Sequence, residues 1–209
     1  MSASELHAFG GVPALAALAW PLTVPLLSAS TAPVGGGIGP RHWVVNAQVP
    51  SDYGRRDVAA HIAEVADALG LAGPGVGMLT AAEVDAAAVA EDDGVRVEAT
   101  VGLSRPVWAA APAEGCEVAV APGTVNVVVF LPVRHTDAAL ANMLCTVTEA
   151  KVQAFLDGGV PGTGTASDAV TVLCPPSGPA EPFGGPRSEL GARVARATYA
   201  ALRSGMAAR

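Results

Sequence analysis

Residues 122–176 read PGTVNVVVFLPVRHTDAALANMLCTVTEAKVQAFLDGGVPGTGTASDAVTVLCPP, and this stretch decides the fold. Its β-branched run is bounded by proline and glycine, which predicts a buried strand over residues 125–131. A long helix that opens at Thr136 or Asp137 follows, because either side chain can accept hydrogen bonds from a first helical turn. A loop rich in glycine and hydroxyl side chains then leads into a second apolar strand over residues 169–174.

The start of the first strand carries two polar side chains on one face. Side chains alternate along a strand, so Thr124 and Asn126 point one way while Val125 and Val127 point the other. A hydroxyl and a carboxamide therefore stand side by side at the mouth of a buried strand. The loop over residues 161–168 adds three hydroxyls and a carboxylate. Alone it is typical of a flexible turn, but beside Thr124 it indicates one wall of a site.

The helix has an apolar stripe and a sparsely charged opposite face. Leucine, methionine and valine recur at helical spacing, so one side must pack on a sheet. Glu149 and Lys151 are the only charged residues between Ala138 and Leu156, which is few for a helix face in water. The pattern leaves two interpretations of Glu149 open, a solvated position or a position facing a pocket.

At 209 residues the chain is long enough for one large domain or two small ones. We predict a single domain over residues 1–209 of the α+β class, with mixed β-sheets packed against helices in layers like those of α/β proteins. The chain is 51% hydrophobic and 4% aromatic, so the core must consist largely of Ala, Val and Leu. A net charge of −7 argues against nucleic acid or an anionic membrane as a partner. Three cysteines without paired spacing are typical of a reducing cytoplasm, where we expect the protein to reside.

The first half of the chain predicts further elements around this unit. Prolines interrupt the apolar segment over residues 12–27, which indicates two buried strands broken at Pro21 rather than a signal peptide or a membrane span. The glycine-rich residues 31–41 predict an irregular loop before a strand. A helix capped by Asp57 follows, and Thr80 with Glu83 has capping-box spacing. A hairpin is predicted around residues 91–94, and Ser188 is predicted to cap a final helix near the end of the chain.

Several kinds of catalytic site are poorly supported. The four histidines lack the spacing with which a helix presents two metal ligands, so we expect no metal site. No Gly-x-Ser-x-Gly elbow occurs, which disfavours a serine triad of the α/β-hydrolase kind. The hydroxyl of Thr124 remains as the candidate nucleophile.

Seven short motifs in order resemble the adenosylcobinamide amidohydrolase family of cobamide salvage. They are GGGIGPR (35–41), WVVN (43–46), VGMLTAA (76–82), GTVN (123–126), TEAK (148–151), GTGTASD (162–168) and FGGP (183–186). The resemblance implies hydrolysis of the amide that joins aminopropanol to the corrin ring of adenosylcobinamide, with release of adenosylcobyric acid. The corrinoid is then the substrate, and no further cofactor is expected. Expected substrate-binding residues within these motifs are Gly36, Gly37, Arg41, Asn46, Thr80, Lys151, Thr163 and Thr165.

A second likeness concerns the mechanism and the fold. Gly123-Thr124 before an apolar strand is similar to the self-processing aminopeptidase and ornithine acetyltransferase group, in which the residue after the glycine becomes an N-terminal nucleophile. If the chain is cut there, the freed α-amino group can act as the base. Otherwise the proton of the Thr124 hydroxyl must go to Glu149, Asp168 or Lys151. Asn126 and Thr80 are then candidates for stabilising the oxyanion.

Two other functions stay open at this point. A protein that binds a corrinoid without cutting it would need a similar pocket, and a peptidase or acyltransferase could use the same threonine. The expected partner is a small corrinoid, with no cobalt-ligating histidine, and the sequence leaves homo-oligomerisation open.

Overall fold

The computed structural model describes residues 4–9, 15–112 and 123–208. Within these ranges the chain forms eight strands, three α-helices and a single 3-10 turn over Val84–Ala86. The strands are β1 (Glu5–Phe9), β2 (Leu15–Ser30), β3 (Gly37–Gln48), β4 (Gly75–Thr80), β5 (Ala88–Asp92), β6 (Val95–Val101), β7 (Val125–Phe130) and β8 (Ala169–Cys174). The helices are α1 (Val58–Ala68), α2 (Asp137–Asp157) and α3 (Glu189–Ala207).

All eight described strands belong to one mixed sheet in the order β4-β3-β2-β8-β7-β6-β5, with β1 paired to β2. The pairs β3–β4 and β7–β8 are parallel, and the remaining pairs are antiparallel. The strand–helix–loop–strand unit predicted over residues 122–176 is confirmed, because α2 is the crossover between the parallel neighbours β7 and β8. A mixed sheet packed with helices is the α+β class that the sequence predicts.

The sheet is so strongly curved that side chains of distant strands meet across its concave face. Asn46 on β3 donates a hydrogen bond of 2.9 Å to Thr100 on β6 and accepts one of 2.8 Å from Asn126 on β7. Strands β2 and β8 separate these strands within the sheet, so such bonds can form only across a concave interior. An apolar cluster fills this interior below the polar bonds; its largest members include Trp20, Met78, Phe130 and Leu173.

The helices cover the outer face of the curled sheet. Val125, Val127 and Val129 pack in one cluster with apolar residues of α2 and α3, whereas Val128 and Phe130 lie in the interior cluster. The predicted alternation along β7 is therefore confirmed. At the other end of the sheet, α1 packs on the outer side chains of β2 and β3.

Two predictions in the first third of the chain are wrong in detail. The apolar segment forms the single strand β2 rather than two strands broken at Pro21, and residues 12–14 lie outside the described ranges. Its register against β3 shifts between Pro21 and Leu26, because an irregularity accommodates prolines that cannot donate to the ladder. The glycine-rich segment is irregular only to residue 36, since Gly37 to Arg41 pair with β2.

The predicted helix caps have mixed outcomes. Thr136 accepts from the Ala139 N–H and Ser188 from the Gly191 N–H, so the starts of α2 and α3 are confirmed. Asp57 precedes α1 without a capping bond, because Arg55 binds its carboxylate. The capping box predicted at Thr80 and Glu83 is wrong, since Thr80 ends β4 and accepts from the Ala82 N–H at 3.0 Å. None of the helices in the described ranges has the length and hydropathy to cross a bilayer.

Candidate active site

A cavity of about 240 Å³ lies where β7 and β8 begin and β4 ends. Most of its wall is apolar, contributed by valine, leucine, methionine, alanine and proline side chains. The polar side chains on the wall are Ser51, Tyr53, Thr80, Thr124, Asn126 and Ser167. As the strand alternation predicts, Thr124 and Asn126 open into one cavity together with a residue of the 161–168 loop.

Thr124 and Ser167 share a hydrogen bond of 2.7 Å between their hydroxyl oxygens. Ser167 is exposed and was not among the predicted site residues. The register of the parallel strands explains the pairing. Asn126 lies opposite Ala169, so extending the pairing two residues back places Thr124 opposite Ser167. Recognising that the two apolar strands pair in parallel would have predicted this contact.

Asp168 is held by four donors behind the strand start. One carboxylate oxygen accepts from the Val125 N–H at 2.9 Å and from the Thr165 hydroxyl. The other accepts from the Thr165 N–H at 3.0 Å and pairs with the Lys151 ammonium. The two charged side chains are only 9% and 10% exposed. These contacts fix the loop to the start of β7, so Asp168, Lys151 and Thr165 shape the site from outside the cavity wall.

Gly164 allows the loop backbone to cover this ion pair. A Cβ at this position would lie 2.7 Å from an oxygen of Asp168 and 2.9 Å from Nζ of Lys151. Both distances are shorter than real Cβ contacts. A side chain at residue 164 would therefore have to displace the ends of the Asp168 and Lys151 side chains, and glycine avoids that disturbance of the buried pair.

The carboxamide of Asn126 already uses both of its N–H donors. They bond to Asn46 Oδ1 at 2.8 Å and to the carbonyl of Leu79 at 3.0 Å. A backbone carbonyl can only accept, so the second bond fixes the orientation of the amide. Asn126 can stabilise an oxyanion only by giving up one of these bonds. Its Oδ1 is buried, with no hydrogen-bond partner among the described residues.

We expect Asn126→Asp to lower the free energy of unfolding at pH 7 by about 3–5 kcal/mol. The new carboxylate would face the Asn46 and Leu79 oxygens with no proton to offer either. Lowering the pH should restore part of the loss, because protonation supplies one donor. Urea denaturation at pH 7 and pH 5 measures both effects. Asn142→Asp makes the same change on the exposed face of α2 and should stay near wild type. Equal losses in the two variants would contradict the assigned bonds.

Thr80 lies on the cavity wall and keeps a hydroxyl hydrogen to donate. Its oxygen accepts from the Ala82 N–H, so the side chain is oriented at the end of β4. It is 1% exposed. Of the two predicted oxyanion donors, Thr80 is the one that can donate without breaking a bond to another described residue.

Nine of the twelve predicted site residues do not line the cavity. Asp168, Lys151 and Thr165 lie outside its wall, and Asn46 accepts from Asn126 in the concave interior. The other five are Glu149, Gly36, Gly37, Arg41 and Thr163. Glu149 is exposed on α2, because the buried side of that helix passes through Ala150 and Lys151 instead. Gly36 and Gly37 are exposed, and Arg41 closes their loop by donating to the carbonyls of Gly35, Gly36 and Pro40. The Thr163 hydroxyl accepts from the Ala109 N–H at 3.0 Å and links two loops.

Tyr53 on the cavity wall and His61 on α1 form a pair that the sequence analysis missed. The Tyr53 oxygen lies 2.8 Å from His61 Nδ1, and the ring centroids are 5.4 Å apart. Burial raises the pKa of Tyr53 and lowers the pKa of His61. Tyr53 precedes α1 in an irregular segment, so no periodic pattern would have singled it out. Among the described residues, no three His, Cys, Asp or Glu side chains gather as metal ligands would.

The family model described as adenosylcobinamide amidohydrolase matches residues 6–209 of the chain. An adenosylcobinamide amidohydrolase from Methanosarcina mazei is 29% identical over 183 residues, which cover 83% of this chain and 86% of that protein. Another from Halobacterium salinarum is 35% identical over 137 residues, which cover 63% of this chain and 58% of that protein. The solved structure of the PH0078 protein from Pyrococcus horikoshii OT3 aligns with a TM-score of 0.47 and 9% identity, over 93% of this chain and 76% of that one.

Proposed function

The chain belongs to the adenosylcobinamide amidohydrolase family, whose members hydrolyse an amide, and on that premise we propose its substrate and nucleophile. The substrate is adenosylcobinamide. Hydrolysis of the amide between aminopropanol and the corrin ring gives adenosylcobyric acid. The observation that carries the proposal is the Thr124 hydroxyl, which opens into a mostly apolar cavity beside the Ser167 hydroxyl.

The size of the cavity supports cleavage of a slender side arm. Pockets that enclose drug-sized ligands span roughly 300–1,000 Å³. A cavity of about 240 Å³ is smaller, so a corrin macrocycle must stay outside while one amide-bearing arm enters. A linear amide that projects from a large ring has this shape.

In the proposed mechanism, the Thr124 oxygen attacks the carbonyl carbon of the amide. The proton of the hydroxyl leaves toward a base, and the carbonyl oxygen becomes an oxyanion that the Thr80 hydroxyl can stabilise. Breaking of the C–N bond releases aminopropanol, which takes up a proton, and leaves an ester on Thr124. Attack of water on that ester gives the carboxylate of the product and restores the hydroxyl.

Asp168 is poorly suited to be the base in this mechanism. Both of its oxygens already accept from donors of the loop, of β7 and of Lys151, and the carboxylate does not line the cavity, so it orients the loop rather than facing the Thr124 hydroxyl. Lys151 is committed to the same pair, and Glu149 is outside the cavity wall. If the chain is cut before Thr124, the new α-amino group can serve instead.

We expect the purified protein to release free aminopropanol from adenosylcobinamide, together with a corrinoid acid of the corresponding mass. Liquid chromatography with mass spectrometry detects both products. Parallel incubations with cobinamide lacking the adenosyl group and with short peptide amides define the substrate class. Corrinoid that binds but stays intact would replace the proposal with a binding protein. Preferential cleavage of the peptide amides would indicate a peptidase.

A further inference from the structure

We propose that Tyr53 is a catalytic residue of this site and that His61 acts through it as the acceptor of the nucleophile's proton. The proposal rests on the proposed function and names the base that the mechanism needs. Neither residue belongs to the motifs that carry the family resemblance.

Tyr53 is placed to touch a substrate. Its side chain lines the same cavity of about 240 Å³ as Thr124, so a substrate amide that reaches Thr124 enters the space that Tyr53 also borders. The Tyr53 oxygen also reaches His61 Nδ1 at 2.8 Å, and the two rings stack with an interplanar angle of 25°. His61 itself is 6% exposed and does not line the cavity. The imidazole can therefore exchange a proton with the cavity through the phenol.

The surroundings of the pair keep both groups neutral at pH 7. Burial is the largest influence on each group, and it lowers the pKa of His61 and raises that of Tyr53. The charged groups near the imidazole are Arg55, which lowers its pKa further, and Glu64 and Asp57, which raise it. In the proposed relay the neutral imidazole accepts the phenolic hydrogen at Nδ1 and carries its own proton on Nε2. This is the tautomer that a base requires.

The segment that carries Tyr53 is tied to α1. Arg55 donates to both carboxylate oxygens of Asp57 and to both of Glu64, at 2.7–3.0 Å. The Tyr53 N–H also bonds to the carbonyl of Pro50 at 3.1 Å, which closes a turn on the cavity wall. These bonds hold the phenol over the cavity in one orientation, although each exposed ion pair contributes little to stability by itself.

The proton moves in two balanced steps. As the Thr124 oxygen attacks the carbonyl carbon, its proton passes to the Tyr53 oxygen and the phenolic proton passes to His61 Nδ1. The pair then consists of a neutral phenol and an imidazolium. As the C–N bond breaks, Tyr53 gives its proton to the leaving nitrogen and His61 returns the Nδ1 proton to the phenol. The net transfer takes one proton from the nucleophile to aminopropanol.

Tyr53→Phe tests whether the Tyr53 hydroxyl takes part in catalysis, and Tyr199→Phe is the matched control. Tyr199 is the other tyrosine of the chain, and its hydroxyl bonds to Asp157 on the surface. We expect Tyr53→Phe to lower kcat for aminopropanol release by about 10²–10⁴-fold with KM changed less than threefold. Tyr199→Phe should match wild type. A Tyr53→Phe variant that keeps the kcat of the control overturns the proposal.

His61→Asn tests whether His61 accepts the proton through Tyr53, since the carboxamide can occupy the place of Nδ1 but cannot take a proton. We expect kcat to fall by at least about tenfold. In wild type, kcat/KM should fall as the pH drops through the lowered pKa of His61, because protonation blocks Nδ1. This acid limb should disappear in His61→Asn and persist in His42→Asn, which changes an exposed histidine. An acid limb that survives in His61→Asn overturns the relay.

The same measurements separate this inference from the proposed function. Wild type that releases no aminopropanol refutes the function itself. Wild type that releases aminopropanol while Tyr53→Phe stays fully active leaves the function standing and refutes the relay. Near-ultraviolet circular dichroism and thermal melting of each variant show whether its fold is retained, and His61→Gln offers a second substitution if His61→Asn does not fold.

Discussion

Thr124→Ala will lower the rate of aminopropanol release by at least about 10⁴-fold, because it removes the atom that forms the acyl intermediate. Thr124→Ser keeps a hydroxyl on the same wall of the cavity and should retain measurable turnover. The alanine variant removes only a hydroxyl and a methyl group, and the residue is 5% exposed, so we expect it to fold. Single-turnover assays with adenosylcobinamide measure the difference.

Ser167→Ala is the control that best shows which of the two hydroxyls is the nucleophile. The Ser167 hydroxyl lies 2.7 Å from that of Thr124, so each is chemically able to attack a bound amide. If Thr124 is the nucleophile, Ser167→Ala loses only a neutral hydrogen bond, and its rate should fall about fivefold to tenfold. The opposite ranking of the two variants would transfer the role to Ser167. Normal turnover in Thr124→Ala would remove Thr124 from the mechanism.

Intact-mass analysis of active protein distinguishes the two forms of the nucleophile. Cleavage before Thr124 yields two pieces, residues 1–123 and 124–209, whereas an internal hydroxyl leaves one chain. Activity in a preparation that contains only the full-length mass would exclude self-processing. The relay through Tyr53 and His61 would then be the route for the proton.

Lys151→Met will lower the free energy of unfolding by about 3–5 kcal/mol, the second large effect that we expect. The substitution keeps an unbranched side chain in the helix but leaves the Asp168 carboxylate without its positive partner. Both side chains of this pair are about nine-tenths buried, so water can replace the ammonium only in part. Denaturation in urea, followed by circular dichroism, measures the loss.

The matched control for Lys151→Met is Arg196→Met, which breaks an ion pair with Asp92 at the surface. The Arg196 side chain is 61% exposed, and exposed pairs contribute about 0–1 kcal/mol. A loss in Lys151→Met no greater than that in Arg196→Met would show that the buried pair does not hold the loop. If the loop is held as we infer, Lys151→Met should also slow turnover, because Ser167 lies in the same loop.

Local patterns predicted the elements of this chain better than their arrangement. The strand at Val125 and the caps at Thr136 and Ser188 follow from alternation and from side-chain oxygens at helix starts, which act over a few residues. The curl of the sheet depends on contacts such as Asn46 with Asn126, which are far apart in sequence. No local pattern specifies such a pairing.

The charged residues of α2 show why the site was predicted only in part. Sparse charge on the helix raised the possibility that Glu149 faces a pocket, but Glu149 is exposed. Lys151 lies on a different side of the helix and is the charged residue that is buried. Sequence spacing alone did not show which side meets the loop. The pairing of Thr124 with Ser167 required the parallel register of β7 and β8, and Tyr53 required the fold of an irregular segment.

The order of strands has a consequence for a chain that is cut between Gly123 and Thr124. β7 and β8 would belong to the second piece, yet they are inserted between β2 and β6 of the first. Backbone hydrogen bonds along both borders would join the pieces as interlocked subunits of one folded body. Proteolytic maturation would thus produce a stable heterodimer that co-elutes as a single species and comes apart only on denaturation.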